Sequence, residues 1–193
     1  HTDQRIYSRI EDMLDLAESL DNYIIFYNGP KCGASAPDHA HFQAGNKGFL
    51  PIEKEWKLKK TGKIIEDERA TLWSLNDAPR NTLVIEAEKK KDAIALFNRV
   101  YASLDIQPDD DEPMMNLLAW CEDCKWIICI VPRKKHRPSC YYAEGDENML
   151  ISPASVDMGG VFITPLEKDF NKITAGDIEA ILAETCCSEI LIR

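Results

Sequence analysis

The stretch Gly33-Ala-Ser-Ala-Pro-Asp-His-Ala-His-Phe-Gln43 decides how this chain is read. A loop of small residues runs into an alternating segment, His39-x-His41-x-Gln43. Read as a strand, successive side chains point to opposite faces, so His39, His41 and Gln43 share one face while Ala40, Phe42 and Ala44 take the core face. Two imidazoles and a carboxamide beside a Gly/Ala/Ser loop can hold a phosphate, bind a metal or attack an electrophile. An incidental pair of histidines, a metal site and a catalytic site all stay open on these residues alone.

Working outward, residues Thr2–Leu20 carry Ile6, Ile10, Met13, Leu14, Ala17 and Leu20 at helical spacing, with Thr2 or Asp3 to cap the first turn. Asn22–Tyr27 reads as a buried strand, and Asn28–Gly33 as turn chemistry. Trp56–Lys59 alternates like a strand, and Asp67–Leu75 holds another short element. The turn-rich stretch Asn76–Asn81 divides the chain into units 1–75 and 76–193.

In the second unit, Thr82–Glu86 reads as a strand. Lys89–Leu104 reads as an amphipathic helix with Ala93, Phe97, Val100, Tyr101 and Leu104 on one face. Gln107–Pro113, with four consecutive acids, reads as an exposed loop. Met114–Trp120 and Lys125–Val131 form a hairpin around Cys121-Glu-Asp-Cys124. Asn148–Pro165 reads as strand, Gly159-Gly160 turn, strand. Thr174-x-x-Asp177 is a capping box that opens a last helix. Helix and strand interleave throughout, which predicts an α+β fold with an antiparallel sheet.

The 193 residues are enough to bury a real core. A net charge of −10 argues against broad binding to nucleic acid or anionic lipid. There is no apolar run long enough to span a bilayer and no signal-peptide pattern. The seven cysteines, an odd number, then read as reduced thiols in a cytoplasm. Cys121-x-x-Cys124 lacks the second ligand pair of a zinc site and reads as two ordinary thiols. The chain opens on His1 rather than Met and reads as a fragment.

For the histidine segment, a metal site needs further N, O or S ligands. Cys32 is near in sequence, but Gln43 is a poor ligand for zinc. The phosphate reading gains from Gly33-Ala34-Ser35, where small residues let backbone N–H groups approach an anion, and from the charge of Lys31. A histidine facing such a cradle can carry a nucleotidyl group as a phosphoramidate, and a carboxamide can donate to phosphoryl oxygens without titrating.

Asn28 to Gln43 resembles the histidine-triad superfamily. The resemblance is to the branch of galactose-1-phosphate uridylyltransferase, diadenosine polyphosphate phosphorylase and GDP-L-galactose phosphorylase, where glutamine replaces the third histidine as at Gln43. A second stretch, Met115–Ala119 with Trp126–Arg133, is similar to the C-terminal half of those phosphorylases. Between Ser35 and His39 stands Ala-Pro-Asp, one residue longer than the Asn-Pro of the uridylyltransferases.

The resemblance implies a histidine-triad-like sheet with flanking helices over 1–75, without its N-terminal strands, and a related or accessory half over 76–193. It implies a nucleotidyltransferase or phosphorylase acting on a nucleotide sugar or dinucleoside polyphosphate, with phosphate or a sugar phosphate as acceptor. His41 is then the nucleophile, His39 its support, and Gln43 the group on the α-phosphate. Asn28, Lys31, Gly33, Ala34 and Ser35 would line the nucleotide site. Apart from the resemblance, Arg133 in the basic run Pro132–Pro138 offers a cation to a substrate phosphate from the second half, with a solvated basic loop after the strand as the equal alternative. No protein-bound metal or cofactor is required, Mg2+ on the substrate phosphates is compatible, and a homodimer is expected by analogy. The rival expectations are a nucleotide-binding module without turnover and a metal-binding protein built on His39 and His41.

Overall fold

The computed structural model describes residues 2–188, so residues 189–193 of the second predicted unit lie outside it. From the N-terminus, α1 (Ile10–Ser19) leads into β1 (Tyr23–Asn28) and, after the histidine loop, β2 (Gln43–Asn46). Then come α2 (Ile52–Lys59), β3 (Lys60–Glu66), β4 (Ala70–Leu75), β5 (Leu83–Ala87) and α3 (Lys90–Ser103). β6 (Met115–Glu122) and β7 (Lys125–Pro132) form a hairpin. The short helices α4 (Ser139–Tyr142), α5 (Ser155–Met158) and α6 (Glu167–Lys172) precede α7 (Ala175–Thr185).

The seven strands make one antiparallel sheet in the order β2-β1-β6-β7-β5-β4-β3, flanked by helices, as the α+β reading expects. The boundary after Leu75 falls between β4 and β5, which pair with each other, so strands from both predicted units share this sheet. The central strands read as continuous apolar runs because both faces of the sheet are covered. On one face Ile25 and Tyr27 of β1 pack with Met13 and Leu14 of α1 and Phe97 and Val100 of α3. On the other, Ile24 and Phe26 pack with Ile52 and Trp56 of α2 and Trp120 of β6. The β6–β7 turn places Asp123 and Cys124 at φ 51° and 61°, the conformation that matches the twist of a tight hairpin.

Away from the histidine segment, four sequence expectations need correction. The first helix starts at Ile10, not Thr2. The preceding segment bonds to the histidine loop, with Gln4 N–H donating to the Pro37 carbonyl at 2.8 Å and Ala40 N–H to the Thr2 carbonyl at 2.6 Å. Trp56–Lys59 is the end of helix α2, whose i, i+4 pair Ile52 and Trp56 turns into the core. Within the acidic loop, Glu112 is buried, not exposed. Finally, residues 148–165 hold no strand; they carry helix α5, and a Cβ on Gly159 would come within 2.7 Å of Leu50. That close approach to the Leu50 side chain, more than a simple turn, is what favours glycine there.

Helix α7 begins at the predicted cap: Thr174 Oγ1 accepts from Asp177 N–H. Its far end is tied to the basic segment. Ser139 N–H donates to Glu184 Oε2 at 2.8 Å, and the Lys135 ammonium and Ser139 hydroxyl meet Glu184 Oε1. Partial burial pushes the Glu184 carboxyl up, but these donors outweigh it and hold the carboxyl at about 2, below its ordinary 4.5. A depressed folded-state value confers stability that is present above pH 4.5 and is lost as pH falls toward about 2. Glu184→Gln is therefore expected to destabilise at neutral pH and to converge on the parent protein in acid, as measured by urea midpoints across that range.

Candidate nucleotidyl-transfer site

The polar row assembles at the end of β1, but not as a strand of histidines. β1 pairs with β2 only from Tyr23–Asn46 to Phe26–Gln43, so His39 and His41 stand in the loop before the strand. Where the ladder would continue, the buried side chain of Gln4 replaces it. Gln4 Nε2 donates to the carbonyls of Asn28 (3.0 Å) and His41 (3.1 Å), and Gln4 Oε1 accepts from His41 N–H at 2.8 Å. One carboxamide thus clamps the His41 backbone to the end of β1. The two imidazoles still lie near each other, with ring centroids 6.3 Å apart. Phe42 packs on Tyr27 as core, whereas Ala44, expected in the core, is exposed.

His41 Nδ1 lies 2.6 Å from the His39 carbonyl oxygen. A carbonyl only accepts, so Nδ1 carries the proton, and in the neutral ring Nε2 carries the lone pair. The contact between the two histidines thus runs through the backbone carbonyl of His39.

Behind the loop, Asn28, Gln43 and Arg133 come together through residues that the sequence did not single out. Asn28 Nδ2 donates to Gln43 Oε1 at 3.2 Å, and Asn116 Nδ2 donates to Asn28 Oδ1 at 2.8 Å. Arg133 Nη1 donates to Asn116 Oδ1 at 2.6 Å. Ser155 N–H also donates to Asn28 Oδ1, at 2.8 Å, and its hydroxyl donates to the Tyr27 carbonyl. Arg133 is only 3 % exposed and its remaining N–H groups meet the carbonyls of Thr185, Pro153, Lys135 and His136. Its position in a run of basic residues hid this burial.

The loop residues are placed separately. Lys31 is half exposed, with its ammonium on Asp110. Ser35 is exposed and Ala34 partly so. Gly33 has φ +91°, and a Cβ there would stand 2.6 Å from the Ala154 Cβ. Gly33→Ala is expected to lower stability by about 2 kcal/mol or more, through both strain and overlap. Gly48→Ala, at φ +88° with open space around it, carries the strain alone and should cost less. Denaturant midpoints of the two variants check the difference.

Beside the loop, Gln4, Lys31, Cys32, Glu112 and Met114 line a cleft of about 180 Å³. Glu112 accepts from the Tyr27 hydroxyl and from Ile6 N–H (2.9 Å). Burial raises the Glu112 carboxyl above its ordinary value despite these donors. Cys32 is fully buried, and burial pushes its thiol up to about 12, which keeps it protonated at neutral pH. Among the described residues, no three His, Cys, Asp or Glu side chains gather as a metal-binding group. No helix among them is long and apolar enough to cross a membrane.

Comparison with solved structures finds yeast Ap4A phosphorylase Apa2, at 17% identity and a TM-score of 0.53, over 91% of this chain and 59% of that one. This likeness is of fold. A DUF4931 family protein from Bacillus cereus ATCC 10987 aligns at 21% identity and a TM-score of 0.47, over 80% of this chain and 74% of that one. No curated protein matches the chain. A domain family of unknown function, DUF4922, matches residues 1–46, which hold Gln4 and the histidine loop. A second family, described as GDPGP1-like, C-terminal domain, matches residues 55–190 and takes in Asn116, Arg133, Ser155 and α7. Asn116, Arg133 and Ser155, which join Asn28 behind the histidine loop, thus fall inside a match spanning most of the chain, and the chain belongs to the GDPGP1-like C-terminal domain family.

Proposed function

We propose that the protein transfers a nucleoside monophosphate through His41, from a nucleotide sugar or dinucleoside polyphosphate to phosphate or a phosphorylated acceptor. The observation that carries this reading is the 2.6 Å contact between His41 Nδ1 and the His39 carbonyl, which leaves the lone pair on Nε2. Membership of the GDPGP1-like family supports it, as does the fold shared with an Ap4A phosphorylase.

In the first step Nε2 attacks the α-phosphorus. The P–N bond forms as the bond to the bridging oxygen breaks, and that oxygen leaves with the electron pair. The ring becomes cationic, and the Nδ1–H donation to the His39 carbonyl stabilises it. In the second step an acceptor oxygen attacks the same phosphorus, the P–N bond breaks and its electron pair returns to Nε2. Gln43 donates Nε2–H to a phosphoryl oxygen where charge develops. Lys31 and the Gly33–Ser35 loop would offer a cation and backbone N–H groups to the phosphates, and Mg2+ bound to those phosphates would neutralise part of their charge.

The test is intact mass after incubation with GDP-, UDP- and ADP-sugars and diadenosine polyphosphate, without acceptor. An added nucleoside monophosphate that is lost in acid is the expected result, and its mass names the base. Tight nucleotide binding with no adduct for any donor would overturn the transfer reading in favour of a binding module.

A further inference from the structure

We propose that Arg133, Asn116 and Asn28 form a one-way amide relay that sets the orientation of the Gln43 carboxamide, so that Gln43 presents N–H rather than C=O to a bound phosphate. The proposal rests on the reading of Gln43 as the donor at the α-phosphate, and it adds Asn116 and Arg133 as positioning residues.

The ends of an amide side chain are assigned from the roles of their partners. Here each assignment follows from a partner that can play only one role. Arg133 Nη1 can only donate, so the atom 2.6 Å away is Asn116 Oδ1. The other end of Asn116 lies 2.7 Å from the Cys32 carbonyl, which can only accept, so it is Nδ2. That Nδ2 also donates to Asn28 at 2.8 Å, which makes the receiving atom Oδ1. Ser155 N–H, which can only donate, meets the same atom at 2.8 Å and fixes it independently.

The outer end of Asn28 is then Nδ2, a donor, and the Gln43 atom 3.2 Å away is Oε1. Gln43 Nε2 is left as the end of the row. Gln43 itself is exposed, while Asn28, Asn116 and Arg133 are 7 %, 0 % and 3 % exposed. A buried guanidinium, unable to accept, thus biases three carboxamides in series. An exposed glutamine on its own would sample both orientations, and half of them would set a carbonyl oxygen against a phosphoryl oxygen. The relay removes that half in advance, which is preorganisation of a transition-state donor.

Asn28→Asp tests this. The substitution keeps an oxygen for Asn116 and Ser155 but replaces the donor toward Gln43 with a second acceptor. Gln43 should then turn over, donating Nε2–H inward and presenting Oε1 outward. The readout is the side-chain amide spectrum of 15N-labelled protein without nucleotide, at about pH 8, where two N–H donors on the other oxygen favour the ionised carboxyl. The Gln43 Nε2 protons should move downfield and exchange with solvent about tenfold more slowly than in the parent protein. Formation of the nucleotidyl adduct should fall about 100-fold, the usual loss of one such donor.

The parent protein supplies a second measurement, independent of any variant. There the amide protons of Asn28 and Asn116 should exchange about tenfold more slowly than those of Gln43. If Asn28 and Gln43 exchange alike in the parent protein, or if the Gln43 signal does not respond to Asn28→Asp, the relay is overturned. Inversion of the Gln43 amide with an unchanged adduct rate would uphold the relay and overturn the role of Gln43 at the phosphate.

Discussion

His41→Ala is expected to abolish formation of the nucleotidyl adduct, a loss of about 10⁴-fold or more, with little change in stability. The side chain supplies the nitrogen that bonds to phosphorus in the proposed chemistry, and a methyl group offers nothing that can form or release the P–N bond. The fold should tolerate the change, because His41 is held by its backbone. Its N–H and carbonyl both bind the Gln4 carboxamide, and these contacts do not depend on the ring. Nucleotide affinity should therefore survive where turnover does not.

His39→Ala provides the contrast. The Nδ1 proton of His41 is accepted by the backbone carbonyl of His39, which the substitution retains. The tautomer persists, and the adduct rate should fall far less than for His41→Ala. Single-turnover adduct formation followed by mass, alongside equilibrium binding of the same donor, separates the two variants. Equal losses in both would contradict the assignment of His41 as nucleophile and His39 as its backbone support.

The central part of the fold was legible because its signals are local. β1, β6 and β7 are apolar runs, α3 has a helical stripe, and Thr174-x-x-Asp177 caps α7 as its spacing predicts. The start of α1 was not legible. Ile6 fits the helical stripe of Ile10, Met13 and Leu14, yet it is buried equally well by an extended segment that bonds to residues 37–41. Periodicity cannot separate these outcomes, since the deciding bonds come from residues more than thirty positions away. Gln4 carries no sequence signal of its own: a single amide among polar neighbours becomes a clamp only once β1 and the histidine loop are in place. Residues 148–165 misled for another reason, their β-branched and apolar residues being drawn into the packing around α5 and α7.

The candidate site was legible in the pieces that lie close in sequence. Asn28 and Gln43 were found together, and they do meet. Asn116 was hidden inside an apolar strand, where a lone amide looks like an interruption. The signal available in hindsight is that Asn116 follows Met115 at the head of β6, level with Asn28 in the β1–β6 register. Arg133 stands out as a cation within reach of a phosphate, but the basic run around it reads equally as a solvated loop, because charge runs are usually surface features. What distinguishes it is its place directly after β7, where its backbone N–H still donates to the Met114 carbonyl at 2.8 Å and its side chain turns inward with that pairing.

Arg133→Met should produce the largest loss of stability of any single substitution considered, about 4 kcal/mol. The guanidinium is buried with no carboxylate in direct contact among the described residues, and it is held instead by Asn116 Oδ1 and four backbone carbonyls. A methionine fills much of the volume but donates to none of these acceptors. Buried acceptors left unpaired cost about 1–3 kcal/mol each, partly relieved by relaxation, so several together dominate any gain from removing a buried charge. Against a typical total of about 5–15 kcal/mol, such a loss would leave the domain marginal. Arg133→Lys separates charge from geometry. One ammonium can reach at most three acceptors from a single point, so it should recover only part of the loss. The damage should also be local at first. Thr185 at the end of α7 loses its Nε donor, so α7 and the Lys134–Thr185 pairing should show faster amide exchange than β1 and β6 at equal denaturant. Urea midpoints give the size of the effect, and residue-resolved exchange gives its place. If Arg133→Met were as stable as the parent protein, the guanidinium would not be the group that joins β7, α7 and the histidine loop into one structure.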